Sequence, residues 1–183
     1  MKQKLLLTIL LIFSINSFSQ DSKFSIELSY PILVNEKGND LEFIDFNGII
    51  DLGVKYNLTE NKKVDFGVGI NTTLLKFKVD DVFVKFTRSH YIFQPKIFGK
   101  INLIENEKLA LITGLGYSFD FNSTENENSK TYSGISFNAG LRYLLTEKIF
   151  FHIQYDFIMY NKEELVYYNK NLSLIKIGIG VKL

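Results

Sequence analysis

Residues 134–160 read GISFNAGLRYLLTEKIFFHIQYDFIMY and contain two segments in which apolar and polar residues alternate. A period of two places successive side chains on opposite faces of a β-strand. The apolar positions of the two segments are Ile135, Phe137, Ala139, Leu141, Tyr143 and Leu145, then Ile149, Phe151, Ile153, Tyr155, Phe157 and Met159. Thr146, Glu147 and Lys148 separate the segments. The stretch therefore predicts a β-hairpin with one apolar face and a tight turn.

The same alternation recurs along the chain and predicts eight strands. Besides 134–145 and 149–160, the alternating segments cover about 24–34, 45–58, from 64 to about 77, 91–103, 109–121, and a last one ending at 183. Long polar connections are predicted at 35–42, 80–88, 122–132 and 161–170, and short turns at 59–63, 105–108 and 146–148. Pro31 and Pro95 are expected to mark a strand end, a bulge or a register shift, because proline cannot donate a ladder hydrogen bond.

Long and short connections alternate, and the three short turns resemble one another in YNLTENKK, NLIENEK and YLLTEK. An even number of strands with short turns at one rim and long loops at the other is typical of bacterial outer-membrane barrels. The predicted fold class is therefore all-β, as an eight-stranded antiparallel up-and-down transmembrane β-barrel.

Glycines indicate which face of the strands points inward. Nine of them share the polar face: Gly53, Gly67, Gly69, Gly114, Gly116, Gly134, Gly140, Gly178 and Gly180. An eight-stranded barrel is only wide enough to be filled by side chains, so it cannot hold a large apolar residue from every inward position. We expect the apolar face to meet lipid. The alternative is a soluble periplasmic or secreted lipocalin-like barrel that binds a small apolar ligand.

The predicted interior carries charges of both signs. We expect a luminal charge network formed by Glu27, Asp51, Lys55, Asp65, Lys96, Lys100, Asp120, Arg142, Asp156 and Lys176. Buried charges are costly unless they are paired. The network is therefore interpreted as a plug of ion pairs and not as the lining of a wide, ion-selective pore.

Catalytic and metal sites are poorly supported by the sequence. His152 and Asp156 share a strand face and come nearest to a catalytic set, but their spacing equally suits two luminal side chains that fill space. His90 stands alone near a predicted loop. No enzyme activity, cofactor or metal is predicted. Six tyrosines near strand ends are expected to form aromatic girdles: Tyr30, Tyr56, Tyr117, Tyr143, Tyr155 and Tyr160.

Residues 1–19 differ from the rest of the 183-residue chain. Lys2 and Lys4 precede the apolar run LLLTILLIF, and Ser17 and Ser19 follow it. This order is typical of a secretory signal peptide, and the run is shorter than the roughly 20 residues of a spanning helix. We expect cleavage after Ser19, which leaves residues 20–183 as one barrel domain. A net charge of +1 argues against nucleic acid as a partner, and the absence of cysteine excludes disulfides.

The chain resembles the small outer-membrane β-barrel proteins of Bacteroidota-type bacteria, related in architecture to the OmpA and OmpX barrels. The resemblance is carried by the serine-bounded apolar segment followed by Gln20, by GISFNAGLRYLLTEKIFFHIQYDF and by the closing IKIGIGVKL. It implies a location in the outer membrane of a Gram-negative bacterium, with the lipid bilayer as partner and the termini in the periplasm. It also implies exposed long loops that could contact an extracellular partner. We expect a monomer with a structural or loop-mediated binding role.

Overall fold

The computed structural model describes residues 23–34, 44–59, 63–80, 85–104, 108–124, 127–161 and 171–183. Eight strands occur in this part of the chain: β1 (Phe24–Leu33), β2 (Ile44–Asn57), β3 (Val64–Asp80), β4 (Lys85–Asn102), β5 (Leu109–Thr124), β6 (Glu127–Leu144), β7 (Ile149–Tyr160) and β8 (Asn171–Lys182). The predicted signal peptide and the predicted connection at 35–42 lie outside the described residues, as does 162–170 of the last connection.

The strands form one closed antiparallel barrel in sequence order, with β8 pairing back to β1. The hairpin of β6 and β7 pairs from Gly134 opposite Tyr160 to Leu144 opposite Phe150 without a register shift. The predicted eight-stranded antiparallel barrel is confirmed. Within the described residues, no helix is long and apolar enough to serve as a membrane span.

The barrel is apolar outside and polar inside. Phe137 and Leu141 of β6 are 47 % and 44 % exposed, whereas Arg142 beside them is 5 % exposed. A row of large apolar side chains continues around the outside, with Ile97 reaching 62 % exposure. Soluble monomers rarely expose apolar patches of this extent. The predicted outward orientation of the apolar face is confirmed, and it disfavours the soluble alternative.

The two rims differ from the prediction in one respect. The strand ends leave short connections at the three predicted places. In the turn after β6 the Thr146 hydroxyl accepts a hydrogen bond from the Ile149 amide at 2.9 Å. The predicted long connections at 80–88 and 122–132 are wrong, because β4 begins at Lys85 and the pairing of β5 with β6 continues to Thr124 opposite Glu127. The polar residues at 85–88, 122–124 and 127–132 therefore belong to paired strands and not to loops.

Strands β3 to β6 have 16 to 18 residues, whereas β1, β2, β7 and β8 have 10 to 14. The short turns and both ends of the barrel chain lie at one rim, so the extra length lies at the other. We call it the extended sheet: residues 76–80 of β3, 85–90 of β4, 121–124 of β5 and 127–132 of β6.

The prolines do not shift the register. Pro95 pairs with Ile70 of β3, and the pairing of β4 with β5 has the same register on both sides of Pro95. The predicted bulge or register shift at Pro95 is therefore wrong. Pro31 pairs with Lys176 of β8, while the pairing of β1 with β2 ends at Ser29. Register shifts occur instead between Gly48 and Ile50, and between Asn122 and Thr124.

The inner face of the barrel contains an apolar cluster that the sequence analysis did not predict. It lies at the end with the extended sheet and consists of Leu75, Phe77, Ile92, Tyr132, Ile158, Tyr160, Leu172 and Leu174, with Leu33 packed against it. We call it the apolar cap. Its position explains why alternation weakens near Leu74 and Leu75, since an inward residue there is apolar instead of polar.

Candidate functional site in the barrel lumen

The ten charged residues of the predicted network all point into the barrel. Each is at most 8 % exposed, from Glu27, Asp51, Asp156 and Lys176 at 1 % to Lys96 at 8 %. They point inward because each occupies a polar position in the period-two alternation of its strand. The structure brings most of them together in separate groups at different depths.

Lys176 of β8 is the centre of the largest group. Its Nζ lies 2.6 Å from Asp51 Oδ2 and 2.7 Å from Asp156 Oδ2, and it donates hydrogen bonds to Thr73 Oγ1 at 3.0 Å and Gln94 Oε1 at 3.2 Å. Asn71 donates a further hydrogen bond to Asp51 at 2.8 Å. We call these six residues the Lys176 cluster. It ties β2, β3, β4, β7 and β8 together across the lumen.

A second group lies nearer the short turns. Lys55 Nζ is 2.8 Å from Glu27 Oε1 and 5.7 Å from the centre of the Phe98 ring. Lys96 makes no direct ion pair with the described residues, but it lies within electrostatic range of Asp156, Glu27 and Lys55. The charges of this group and of the Lys176 cluster balance, with three carboxylates facing three ammonium groups.

Three further charged residues of the network, Asp65, Lys100 and Arg142, are buried near the short-turn rim. Lys100 and Asp65 form an ion pair between neighbouring positions of β4 and β3. Arg142 places its guanidinium carbon 4.9 Å from the centre of the Phe150 ring. Phe98 and Phe150 fill the space between these charges, so this end of the lumen mixes ion pairs with aromatic rings.

Asp120 lies at the opposite end, at the level of the apolar cap, where it pairs with Ile92 of β4 and Tyr132 of β6. Its carboxylate is 3.0 Å from His90 Nδ1 and accepts a hydrogen bond from the Tyr160 hydroxyl at 2.8 Å. His90 was expected alone near a loop, and Tyr160 in an aromatic girdle. Both expectations are wrong, because β4 extends far enough to carry His90 inside and Tyr160 has the same parity in β7 as His152 and Asp156. Continuing the inward and outward alternation of β4 to His90 and of β7 to Tyr160 would have placed both side chains inside.

The neutral members of the Lys176 cluster were not predicted from the sequence. Asn71, Thr73 and Gln94 occupy inward positions but carry no charge, so they gave no signal beyond parity. Asn71 and Thr73 donate hydrogen bonds to Asp51, and Thr73 and Gln94 accept hydrogen bonds from the Lys176 ammonium group. This matters because buried ion pairs are tolerated only where further hydrogen bonds satisfy the charged atoms.

The lumen holds no catalytic arrangement among these residues. Ser29 Oγ is 2.8 Å from His152 Nε2, but His152 Nδ1 has no hydrogen-bond partner among the described residues. In a catalytic triad a third group, commonly a carboxylate, binds that second nitrogen and orients the histidine. Asp156 is held by Lys176 and Gln154 instead. In the described part of the chain, no group of three or more histidine, aspartate or glutamate side chains is placed to hold a metal ion.

Known proteins share this architecture. The family model described as outer membrane protein beta-barrel domain matches residues 5–182. The chain belongs to the outer membrane protein beta-barrel domain family. The family places this chain in the outer membrane of a Gram-negative bacterium, so the exposed apolar face has the lipid bilayer as its environment. A comparison with curated protein sequences finds no match.

Solved structures of outer-membrane proteins are similar to this member of the outer membrane protein beta-barrel domain family. Ail of Yersinia pestis, crystallised with the heparin analogue sucrose octasulfate, superposes with a TM-score of 0.60 at 14 % identity, covering 87 % of this chain and 96 % of Ail. The N-terminal β-barrel domain of Pseudomonas aeruginosa OprF gives 0.51 at 16 % identity, with 87 % and 96 % covered. OprG of Pseudomonas aeruginosa gives 0.53 at 14 % identity, with 88 % and 92 % covered.

These likenesses confirm the fold. Together with the family assignment, they make the protein a small integral outer-membrane β-barrel with a structural or binding role. The predicted location and architecture are confirmed to that extent.

Proposed function

We propose that the protein is a closed, non-enzymatic, monomeric barrel that serves as a rigid membrane scaffold and presents a binding surface at the rim with the extended sheet. The observation that carries this proposal is the Lys176 cluster, which joins five strands across the lumen through direct side-chain contacts. The apolar cap fills the lumen beyond it. Two successive layers of buried side chains leave no role for a wide pore.

The test is conductance in planar lipid bilayers. The purified barrel should insert without producing a steady current, because ions would have to displace paired charges and then cross an apolar layer. A large, steady, single-level current from the wild-type protein would overturn the plugged interior. Insertion is verified on the same sample by faster gel migration without boiling than after boiling.

The absence of enzyme activity is supported by burial. Ser29 and His152 are 5 % and 4 % exposed, so the one close serine–histidine pair described here has no access to a substrate. Substituting His152→Gln or Asp156→Asn should leave any measured activity of the protein unchanged. Loss of a defined activity in both variants, with folding retained, would contradict the non-enzymatic proposal.

The extended sheet is the surface that we propose for partner contact. Lys76 and Lys78 of β3 are exposed on its outer face, alternating with the buried Leu75 and Phe77. Exposed lysines on a rigid sheet suit an anionic extracellular partner. The bilayer-facing apolar band ends below them, so they are positioned to meet solutes outside the membrane.

Retention on an immobilised sulfated polysaccharide tests this surface. The double variant Lys76→Gln/Lys78→Gln should elute at lower salt than wild type, while Lys108→Gln, an exposed lysine at the short-turn rim, should elute unchanged. Equal elution of the two variants would exclude the extended sheet as the anion-binding surface.

Export and origin belong to the same proposal. The apolar segment in residues 1–19 supports a cleaved signal peptide, and the resemblance to Bacteroidota-type barrels supports an origin in that group. The mature protein is expected to begin at Gln20, which N-terminal sequencing of the protein from outer membranes checks directly.

A further inference from the structure

The inner face of the extended sheet contains a buried amide whose hydrogen-bonding atoms are both unused. Asn122 of β5 is 5 % exposed, and its Nδ2 and Oδ1 have no hydrogen-bond partner among the described residues. Since both atoms are unpaired, the observation holds for either orientation of the amide. Leaving a buried polar group unpaired is costly, so an amide in this state favours a ligand. The ligand has to accept one hydrogen bond and donate another.

Cationic side chains flank this amide on both neighbouring strands. Asn122 pairs with His90 of β4 on one side and with Lys130 of β6 on the other. The Lys130 side chain is exposed to solvent. Arg88 precedes His90 by two residues on β4 and therefore shares its inward parity. The charge around the amide suits an anionic group.

The carboxylate nearest along β5 is already engaged. Asp120 precedes Asn122 by two residues, and its Oδ2 lies 3.0 Å from His90 Nδ1. The same oxygen accepts a hydrogen bond from the Tyr160 hydroxyl at 2.8 Å. An anion that approaches Asn122 therefore meets the charge of Lys130 beside a carboxylate whose oxygen already has partners.

The surroundings of Asn122 are aqueous and lie beyond the closed part of the barrel. The pairing of β6 with β7 ends at Gly134, whereas its pairing with β5 continues through Lys130. On the outer face of this part of β6, Ser129 and Thr131 are exposed polar residues. The register shift that follows Asn122 bends β5 at this point, as bulges near binding sites commonly do. A solute in the water at this rim reaches the inner face of the sheet without crossing lipid.

We propose that the inner face of the extended sheet around Asn122 binds a small hydroxycarboxylate. Its carboxylate accepts hydrogen bonds from the Lys130 ammonium group and from Asn122 Nδ2, and its hydroxyl donates one to Asn122 Oδ1. A simple anion would leave the acceptor of the amide unpaired, and a neutral polyol would not use the positive charge. This site is separate from the outward-facing Lys76 and Lys78, so it does not depend on their proposed role.

Nuclear magnetic resonance of the barrel in zwitterionic micelles tests the site with three matched solutes at constant ionic strength. Gluconate carries a carboxylate and hydroxyls, sorbitol carries hydroxyls alone, and acetate carries a carboxylate alone. The side-chain amide signals of Asn122 should shift with gluconate at a severalfold lower concentration than with acetate, and should not shift with sorbitol. Unmoved Asn122 signals in gluconate, or equal responses to gluconate and either comparison solute, would overturn the proposal.

Variants on the two faces of the sheet locate the bound solute, with the backbone amide of Tyr132 as reporter. Asn122→Leu removes both polar atoms at similar volume, and Lys130→Gln removes the charge. Each should raise the half-saturating gluconate concentration severalfold, whereas Lys76→Gln/Lys78→Gln should leave it unchanged. Gluconate binding that is unaffected by Asn122→Leu or Lys130→Gln, or that is lost in the Lys76→Gln/Lys78→Gln variant, would refute the inner site.

Controls keep this test separate from that of the outer face. Heat-modifiable migration shows that each variant is folded, and the exposed Lys130 tolerates substitution even if Asn122→Leu does not fold. Retention on sulfated polysaccharide depends on Lys76 and Lys78, whereas the gluconate titration depends on Asn122 and Lys130. Either proposal can therefore fail while the other holds.

Discussion

At the scale of single residues, Lys176 is the side chain on which the interior most depends. It contacts two carboxylates, a hydroxyl and an amide oxygen from four other strands. Removing one partner of a buried ion pair is more damaging than replacing the whole pair, because a charge is left in an apolar setting without compensation. Removal of Lys176 leaves two such carboxylates behind, Asp51 and Asp156.

Lys176→Met is therefore expected to lower the free energy of unfolding by about 3 kcal/mol or more. Urea titration of the barrel in lipid vesicles measures this change. Lys76→Met, which removes an exposed lysine, should stay within about 0.5 kcal/mol of wild type. Adding Asp51→Asn and Asp156→Asn to Lys176→Met should recover part of the loss. A Lys176→Met barrel as stable as the Lys76→Met control would refute a structural role for the cluster.

Gly140 and Gly99 show, again at the scale of single residues, how an inward position of the barrel wall differs from an outward one. A Cβ at Gly140 would lie 2.5 Å from the Ile153 carbonyl oxygen and 2.8 Å from Gln154 Cα, both on the neighbouring backbone. A Cβ at Gly99 would lie 3.7 Å from the Phe66 ring, an ordinary contact. The inward glycine makes room for the adjacent strand, and the outward one does not.

Gly140→Ala should thus cost about 1–3 kcal/mol through a forced backbone shift. Gly99→Ala should be neutral or stabilising by up to about 1 kcal/mol, because alanine is less flexible than glycine in the unfolded chain. The same urea titration ranks the two variants. Equal losses would contradict the assigned faces of β4 and β6.

At the scale of elements, the pairing of β5 and β6 continues beyond the apolar band. Phe121, the last alternating position of β5, pairs with Thr131, and Asn122 pairs with Lys130 beyond it. Backbone hydrogen bonds between strands do not require an apolar face. On the outside of this barrel the bilayer imposes one, because it cannot satisfy polar side chains or exposed backbone groups.

Nuclear magnetic resonance of the barrel in micelles should show cross-strand contacts between Phe121 and Thr131 and between Asn122 and Lys130. Their carbon chemical shifts should be those of extended backbone. The pair Ile135 and Met159 inside the apolar band provides the reference for such a contact. Random-coil shifts throughout 122–132 would restore the long loop that the sequence pattern predicts.

At the scale of the whole molecule, the lumen is closed by two layers in series. The Lys176 cluster occupies its middle, and the apolar cap lies at the end with the extended sheet. Because ions have to pass both layers in turn, we expect either intact layer to block the lumen. Rigidity follows from the same arrangement. All strands except β5 contribute side chains to one layer or the other, and Ser118 of β5 accepts a hydrogen bond from Gln94 of the cluster.

Removing only one of the two layers should leave the barrel without a measurable current in planar bilayers. The variants are Leu75→Ala/Phe77→Ala for the cap, and Lys176→Ala/Asp51→Ala/Asp156→Ala for the cluster. Only the combined variant is expected to conduct, since it alone removes both obstacles. A current from either partial variant, with folding verified by gel migration, would show that the intact layer is not a seal.

The sequence by itself determined the number of strands, the short turns and the face that most residues of the alternating segments take. These features depend on a period of two, which is local: the alternation around Phe137, Leu141 and Arg142 is sufficient to place all three. The glycines on the polar face indicated in addition that this face lines the narrow interior of the barrel. Parity also placed the ten luminal charges inside, although it could not pair them.

Only the tertiary structure decided which luminal side chains meet and where the strands end. Lys176 and Asp51 are 125 residues apart, and Ser29 and His152 are 123 residues apart. Such contacts depend on the register of every strand pair and on the closure of β8 onto β1, which no local pattern contains. The ends of β3 to β6 were hidden for a different reason. Beyond the bilayer the outer face of a strand meets water, so polar residues such as Lys76 and Lys78 occupy outward positions. The alternation that reveals a membrane strand is then lost while the backbone pairing continues.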